Sequence, residues 1–447
     1  MTYALDLAGQ ARLQQFLADL GASHLKDKRK RESFALYFLG LLSESERKSV
    51  EPLAARNAHD PRAVQHMHDK LLHFVSHSSW DDRAVRQFAA RHAIRELQRN
   101  EKVTTWIIDD TGFLKQGKHS VAVQRQYTGS AGKITNCQVG VSLCVATATA
   151  HLPLDFELYV PEKWADSPPL RLQAKIPEDL IFKTKPQLAL DMIERAVQAE
   201  IPGDVLLADA GYGDSNEFRS TVRTHGFDYA VGVSSSVTVH HLDAAGRARG
   251  TALSAKALAN KLIENFRRVT WKTGANGQDL SARFAFMRVK TAHDDGMPLA
   301  SRQAEWLIAE WPDSESEPSK FHLTTLPERM SKKQIVLLLK ERWRTERMYQ
   351  DLKGELGLDH FEGRSFTGWH HHVSVVLTCA AFLVAEQARA FPPSTARQTG
   401  ADSNVIPAPK ALSSFHHVAA PRVCASARRM ASAMPALSSP ELTQRYA

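Results

Sequence analysis

The stretch Trp106-Ile-Ile-Asp-Asp-Thr-Gly-Phe-Leu-Lys-Gln-Gly117 limits what this chain can fold into more than any other. From Val103 to Ile108 the residues are mostly apolar and β-branched, as in a strand covered on both faces. The run ends in two carboxylates, Asp109 and Asp110, before a turn punctuated by Gly112. Acids delivered by a buried strand repel each other unless a cation or hydrogen bonds offset their charge, and a divalent metal is the simplest offset. A second reading stays open from this stretch alone, because Asp often does no more than open a turn.

The pattern recurs downstream. Strands are expected over Ser120 to Tyr127, Gln138 to Ala148 and Leu152 to Val160, as a meander after the first. A helix from Lys185 to about Glu200, apolar at Leu188, Met192, Ile193, Ala196 and Val197, ends at Pro202-Gly203. Next comes Asp204-Val-Leu-Leu-Ala-Asp209, a second strand that finishes in an acid, with Ala210-Gly-Tyr-Gly213 for a sharp turn. Ser215 or Asp214 caps the following helix, and a strand from Asp228 to Val233 closes the unit. The order predicts a mixed α/β sheet with both Asp-tipped strands side by side.

A chain of 447 residues is too long for one core, so two or three units are expected. Residues 1–100 read as a helical, DNA-binding domain, with apolar periodicity at Ala11 to Leu20, Phe34 to Leu42 and Ala63 to Val75. Within them lies the run Lys26, Lys28, Arg29, Lys30 and Arg31, interrupted by one acid and followed by Arg47-Lys48. Such a run is either a solvated face or a track for a phosphate backbone. Residues 234–327 break the helix–strand rhythm and read as a β-rich insertion, whose Trp271, Trp306 and Trp311 are core residues or platforms for an unpaired base. Residues 391–447, rich in Pro, Ser and Ala, read as a loosely ordered tail with a short helix near 423–434.

Charge and cysteine usage narrow the setting. A formal charge of +8 and a pI near 9.2 favour a polyanionic partner. No apolar run is expected to approach the roughly 18 residues of a membrane span, and the N-terminus lacks a secretory head. Cys137, Cys144, Cys379 and Cys424 are widely spaced without a CxxC pair, which suits a reducing cytoplasm.

A third element starts at Ser331, which forms a capping-box pattern with Gln334, and continues as one helix to Lys353. At about 100° per residue, Arg342, Glu346 and Lys353 share a sector of roughly 40°. Either Arg342 and Glu346 form a surface pair at i, i+4, or the carboxylate completes a site with the two strands. His370-His371-His372 follow on an apolar helix. Consecutive histidines point in different directions, so helix-face or DNA-side roles are expected instead of zinc binding.

Taken in order, Asp109 in IIDDTGFLKQG, Asp209 in LLADAGYGD and Glu346 in RWRTERMYQDLKGELGLDHFEGRS resemble the DDE transposases of bacterial insertion sequences. The resemblance is to the branch with a Tyr, Arg, Glu, Lys signature. Arg342, Glu346 and Lys353 meet its spacing, and Leu339 stands where the signature has Tyr. It implies a ribonuclease-H-like catalytic domain from residues 101–233 and 328–390, a mixed sheet flanked by helices. It also implies a triad of Asp109, with Asp110 as alternate, Asp209 and Glu346, holding two Mg²⁺ or Mn²⁺ ions. Arg342 and Lys353, with Lys115 and Lys118, would grip DNA phosphates. The expected activity is metal-dependent cleavage at an element's terminal repeats and strand transfer into target DNA, by a homodimer on paired ends, with no membrane, on the nucleoid of a bacterial cytoplasm. A catalytically inactive DNA-binding regulator and a non-joining nuclease of the same fold are the alternatives.

Overall fold

Apolar spacing in the first hundred residues produces helices α1 (Leu7–His24), α2 (Lys28–Leu42), α3 (Val50–Asn57), α4 (Val64–Ser76) and α5 (Asp82–Leu97). The structure, a computed structural model, describes residues 6–58, 60–273, 279–292 and 296–390. The tail expected from 391 to 447 lies outside the described residues. Helix α5 escapes a periodicity reading because its inward face carries Arg86 and Glu96, both buried, among its alanines. Arg86 meets Asp82 at 3.1 Å and Asp155 at 3.2 Å, which offsets the cost of burying its charge.

The strands β1 (Thr105–Leu114), β2 (Gln124–Thr128), β3 (Lys133–Ala146) and β4 (His151–Tyr159) come next. Contrary to expectation, β1 does not stop at its acids; it stays antiparallel to β3 as far as Leu114 opposite Cys137. The strand expected from Ser120 starts only at Gln124. Residues 120–123 are held as a turn, with the Val121 N–H on the Arg364 carbonyl at 3.1 Å and Ala122 in the left-handed region at φ 61°. Short helices α6 (Glu162–Ala165) and α7 (Pro168–Ala174) lead to α8 (Lys185–Gln198), which opens on a Thr184/Gln187 capping box. Then follow β5 (Val205–Ala208), the one-turn α9 (Ala210–Gly213), α10 (Asn216–Thr224) capped by Ser215, and β6 (Asp228–Val233).

β6 does not close the sheet. After β7 (Thr238–His241), β8 (Leu253–Ser254), α11 (Ala255–Lys261), β9 (Arg267–Thr273), β10 (Asp279–Thr291) and β11 (Glu305–Trp311), the strand β12 (Lys320–Thr324) returns and pairs antiparallel with β6. The result is one mixed sheet in the order β2-β3-β1-β5-β6-β12-β11-β10-β7-β8, with β4 on β3 and β9 on β10. β1, β5 and β6 are parallel and β3 is antiparallel to β1, as in a ribonuclease-H-like core flanked by helices. Trp271, Trp306 and Trp311 lie half-buried on the outer strands, beneath Lys340, Arg288 and Arg283 at 4.6, 4.8 and 3.6 Å from their rings.

The helix expected to run unbroken from Ser331 is two: α12 (Lys332–Lys340), whose capping box is present, and α13 (Trp343–Leu356). The last, α14 (Phe366–Ala390), is by length and composition able to span a membrane, contrary to the expectation of no such run, but 72% of its apolar window is buried in the fold. It packs against α2, α4, α5 and β4, so the N-terminal helices share their core with the sheet.

The histidine triplet lies inside this core and not on a DNA-facing surface. His370 approaches Glu157 at 3.3 Å. His371 hydrogen-bonds the Val75 carbonyl at 3.0 Å and stacks on Trp80. His372 hydrogen-bonds the Gly357 carbonyl at 2.9 Å and the Tyr37 hydroxyl at 2.9 Å, so three successive rings tie α14 to β4, α4, α2 and the end of α13. Burial pushes His371 and His372 down to about 4 from an ordinary 6.5. Their neutral forms stabilise the fold fully above pH 6.5; as pH falls towards 4 the unfolded chain takes up protons that the folded chain refuses, and that stability is lost. Denaturant titration should therefore show stability dropping between pH 6.5 and 4 by up to about 3 kcal/mol per ring. The double variant His371→Gln, His372→Gln should be less stable at pH 7.5 but have a visibly flatter slope across that window.

Candidate active site

Parallel pairing sets Thr105, Trp106 and Ile107 of β1 against Val205, Leu206 and Leu207 of β5. The same offset carried two residues further puts Asp109 beside Asp209, where the parallel pairing has ended and β5 stops while β1 runs on against β3; the crevice beyond the carboxyl ends of parallel strands is where α/β sheets hold their ligands. Gly213 lets the turn after Asp209 sit tightly on β6, since a Cβ there would lie 1.9 Å from the Gly232 carbonyl oxygen. Asp209 caps α9: one carboxylate oxygen accepts the Gly211 N–H at 2.9 Å. Its other oxygen faces outward to Arg342.

A single nitrogen joins the two acids. Arg342 Nη2 lies 3.4 Å from Asp109 Oδ2 and 3.9 Å from Asp209 Oδ2. Asp109 is buried and accepts the backbone N–H of Asp110 at 2.8 Å. Burial pushes its carboxyl up to about 6, against the pull of Arg342 and that N–H, with the charges of Asp209 and Asp110 adding to the rise. Asp110, next along the strand, is held by different partners: Lys185 of α8 at 3.0 Å and the Tyr212 hydroxyl at 3.3 Å. Strand alternation thus separates the two neighbouring acids, and Asp109 is the one turned to Asp209.

Helix α13 lies across β1. Tyr349 donates or accepts a 2.6 Å hydrogen bond with Ser142, the cross-strand partner of Asp109. Glu346, one turn earlier, is exposed, and among the described residues no hydrogen bond or ion pair holds it. The surface pair with Arg342 is therefore not formed, because Arg342 is drawn to the aspartates. Two anchors bracket Arg342. Lys340 reaches both oxygens of buried Glu310 at 2.7 Å, and buried Arg344 pairs with Glu341 and donates to the carbonyls of Thr147 and Ala148 at 2.9 and 2.8 Å. Between them the backbone stays right-handed at Glu341 and Arg342 but tightens to i→i+3 hydrogen bonds, which separates α12 from α13.

Of the expected DNA-facing cations, several are turned inward. Lys353 binds Thr111 Oγ1 at 2.9 Å and the Gly112 carbonyl at 2.7 Å, close to Ser130 of the β2–β3 turn. Lys115 binds the Phe361 carbonyl at 2.7 Å, Lys30 the Ser79 carbonyl at 2.7 Å, and Arg31 the Lys26 carbonyl at 3.1 Å. Lys26, Lys28, Arg29 and Lys118 are exposed. Tyr349 belongs to a buried face with Thr345, Met348 and Leu352 that the i, i+3, i+4 spacing marks in the sequence. Arg344 and Lys185 carried no such signal, being ordinary members of charged runs.

Anionic oxygens converging on one cation, with no His or Cys among them, suit Mg²⁺ or Mn²⁺ and not zinc. Among the described residues no three His, Cys, Asp or Glu side chains form a ready-made cage. Mg²⁺ needs none, since it is commonly held by one or two carboxylates with waters and substrate phosphates. The donor set therefore fits that group.

The sequence matches the family described as DDE superfamily endonuclease over residues 21–278, a span that includes Asp109 and Asp209 and stops before Glu346. It is also similar to a probable transposase for insertion sequence element IS701 from Microchaete diplosiphon, 29% identical over 211 residues. That alignment covers 47% of this chain and 50% of the relative, so the chain spans about half the length of the curated relative it matches. A family match over more than half the chain, running through both acid-bearing strands, decides descent: this chain belongs to the DDE superfamily of endonucleases.

Proposed function

We propose that the chain is a transposase that cuts DNA at the ends of a mobile element and joins those ends to target DNA. The observation that carries this reading is the convergence of Asp109 and Asp209 on one cation just past the end of the parallel pairing of β1 and β5. Asp109, Asp209 and Glu346 would hold two Mg²⁺ or Mn²⁺ ions, Glu346 from a helix turn that is exposed and free of other partners. When bound, such ions activate a water or a DNA 3′-hydroxyl and stabilise the leaving oxygen of an in-line phosphoryl transfer.

The remaining residues position the substrate. Arg342, Glu346 and Lys353 keep the spacing of the Tyr, Arg, Glu, Lys branch, while Leu339, in the place of the Tyr, is buried and offers no hydroxyl. Arg342 and Lys118 would meet phosphates; Lys353 and Lys115 would first have to leave their carbonyl partners. Lys28 and Arg29 sit exposed in the first turn of α2, whose backbone N–H groups at Arg29 and Lys30 are already capped by the Asp27 carboxylate, so any phosphate contact there would be made by the side chains. With Lys26 they would form the exposed track for DNA, and a homodimer on paired ends is the assembly that the resemblance implies.

Asp109→Asn, Asp209→Asn and Glu346→Gln should each fold and bind DNA ends yet lower nicking by about two orders of magnitude or more, the scale of losing an electrostatic stabiliser. A labelled end incubated with Mg²⁺ or Mn²⁺ beside a gel-shift control measures this, and assay of joining to a target plasmid separates a transposase from a nuclease. Near wild-type nicking by Glu346→Gln would remove that residue from the site. Neutralising Lys26, Lys28 and Arg29 together should weaken binding to every duplex and flatten the slope of log K against log salt by up to about 3. An unchanged slope would take this run off the DNA.

A further inference from the structure

The bonds around Arg342 differ in kind. Lys340 and Arg344 on either side are held at hydrogen-bond distance by buried partners. Arg342 itself, about one-third exposed, touches its carboxylates only at 3.4 and 3.9 Å with one nitrogen, and its buried Nε has no hydrogen-bond partner. A guanidinium built as a structural clamp would meet a carboxylate with two parallel bonds. Here the backbone is fixed while the charged head is loosely placed between two acids. Glu346, four residues on and free, offers that head a second position.

We infer that Arg342 is a displaceable internal counter-cation: in the metal-free protein it neutralises Asp109 and Asp209, and it competes with divalent metal for them. The inference rests on the reading of these two acids as metal ligands. A cation already seated between the carboxylates opposes the entry of a second. A DNA phosphate that draws the guanidinium away removes that opposition. Metal and DNA end then strengthen each other's binding by the same factor, as linkage requires. Loading of metal is thereby tied to the presence of a DNA end, through one side chain that leaves one anion for another.

The test is Mn²⁺ affinity of the full chain, measured by titration calorimetry without DNA and with a short blunt-ended duplex under catalytically silent conditions, using a phosphorothioate-protected end. Arg342→Gln should bind Mn²⁺ about tenfold tighter than the wild type without DNA, within the range usual for coupled sites. Arg342→Lys, which keeps a cation and guards against a folding defect of the Gln variant, should stay near the wild type. The duplex should tighten Mn²⁺ binding by the wild type and leave Arg342→Gln nearly unchanged. If Arg342→Gln binds Mn²⁺ no tighter while Asp109→Asn abolishes binding, the counter-cation is overturned and the metal site stands. If Asp109→Asn and Asp209→Asn bind as the wild type does, the metal site itself falls. Equal tightening by the duplex in both Arg342 forms overturns the coupling.

Discussion

Two carboxylates set side by side where the parallel pairing of two buried strands ends are the constraint on which the rest of this structure depends. Asp109 is buried, and the charge of Asp209 beside it pushes its carboxyl further towards the protonated form. Like charges so placed need cations or donors close by. The fold supplies them from three directions: the Asp110 N–H along the strand, the α9 turn under Asp209, and Arg342 from the helix junction. The polar residues around the site answer to that need before they answer to any substrate.

Holding Arg342 there is the work of distant parts of the chain. Glu310 of β11 fixes Lys340, the β3–β4 turn fixes Arg344, and Ser142 of β3 fixes Tyr349. Arg344 and Tyr349 are buried and Lys340 is partly so, each with a partner, so each is worth keeping only if the partner stays in place. Between these anchors the backbone stays in the right-handed region at Glu341 and Arg342 and tightens to i→i+3 hydrogen bonds, so α12 and α13 meet at a turn that holds Arg342.

Much of the site was legible in the sequence, and for a physical reason. Acids that end apolar runs are costly, so Asp109 and Asp209 stand out, and the parallel register of β1 and β5 brings them together as the strand order predicts. Less legible was everything decided by tertiary pairing. The Arg342–Glu346 spacing is equally good for a surface pair, and only the nearby aspartates decide the contest. α5 hid behind inward-facing Arg86 and Glu96, because a buried charge that has found partners reads as a solvated one. The histidine triplet misled in the same way: His371 and His372 bond backbone carbonyls and His370 lies against the Glu157 carboxylate, so polarity along α14 marks its core and not its surface. The strand from Asp228 to Val233 looked terminal since nothing within it announces that a segment almost ninety residues later will return to pair with it.

That return of β12 gives the insertion a meaning beyond its loops. The described strands between residues 234 and 327 do not hang from the sheet as a tethered module; they continue its hydrogen bonding from β6 outward. Thr324 and Thr325 fasten the returning strand to Tyr229 and Asp228 as well. β6 is thus an interior strand by courtesy of sequence far downstream. A shortened relative could not simply discard the segment, for β6 would then be left as a bare apolar edge, open to pairing with any passing chain.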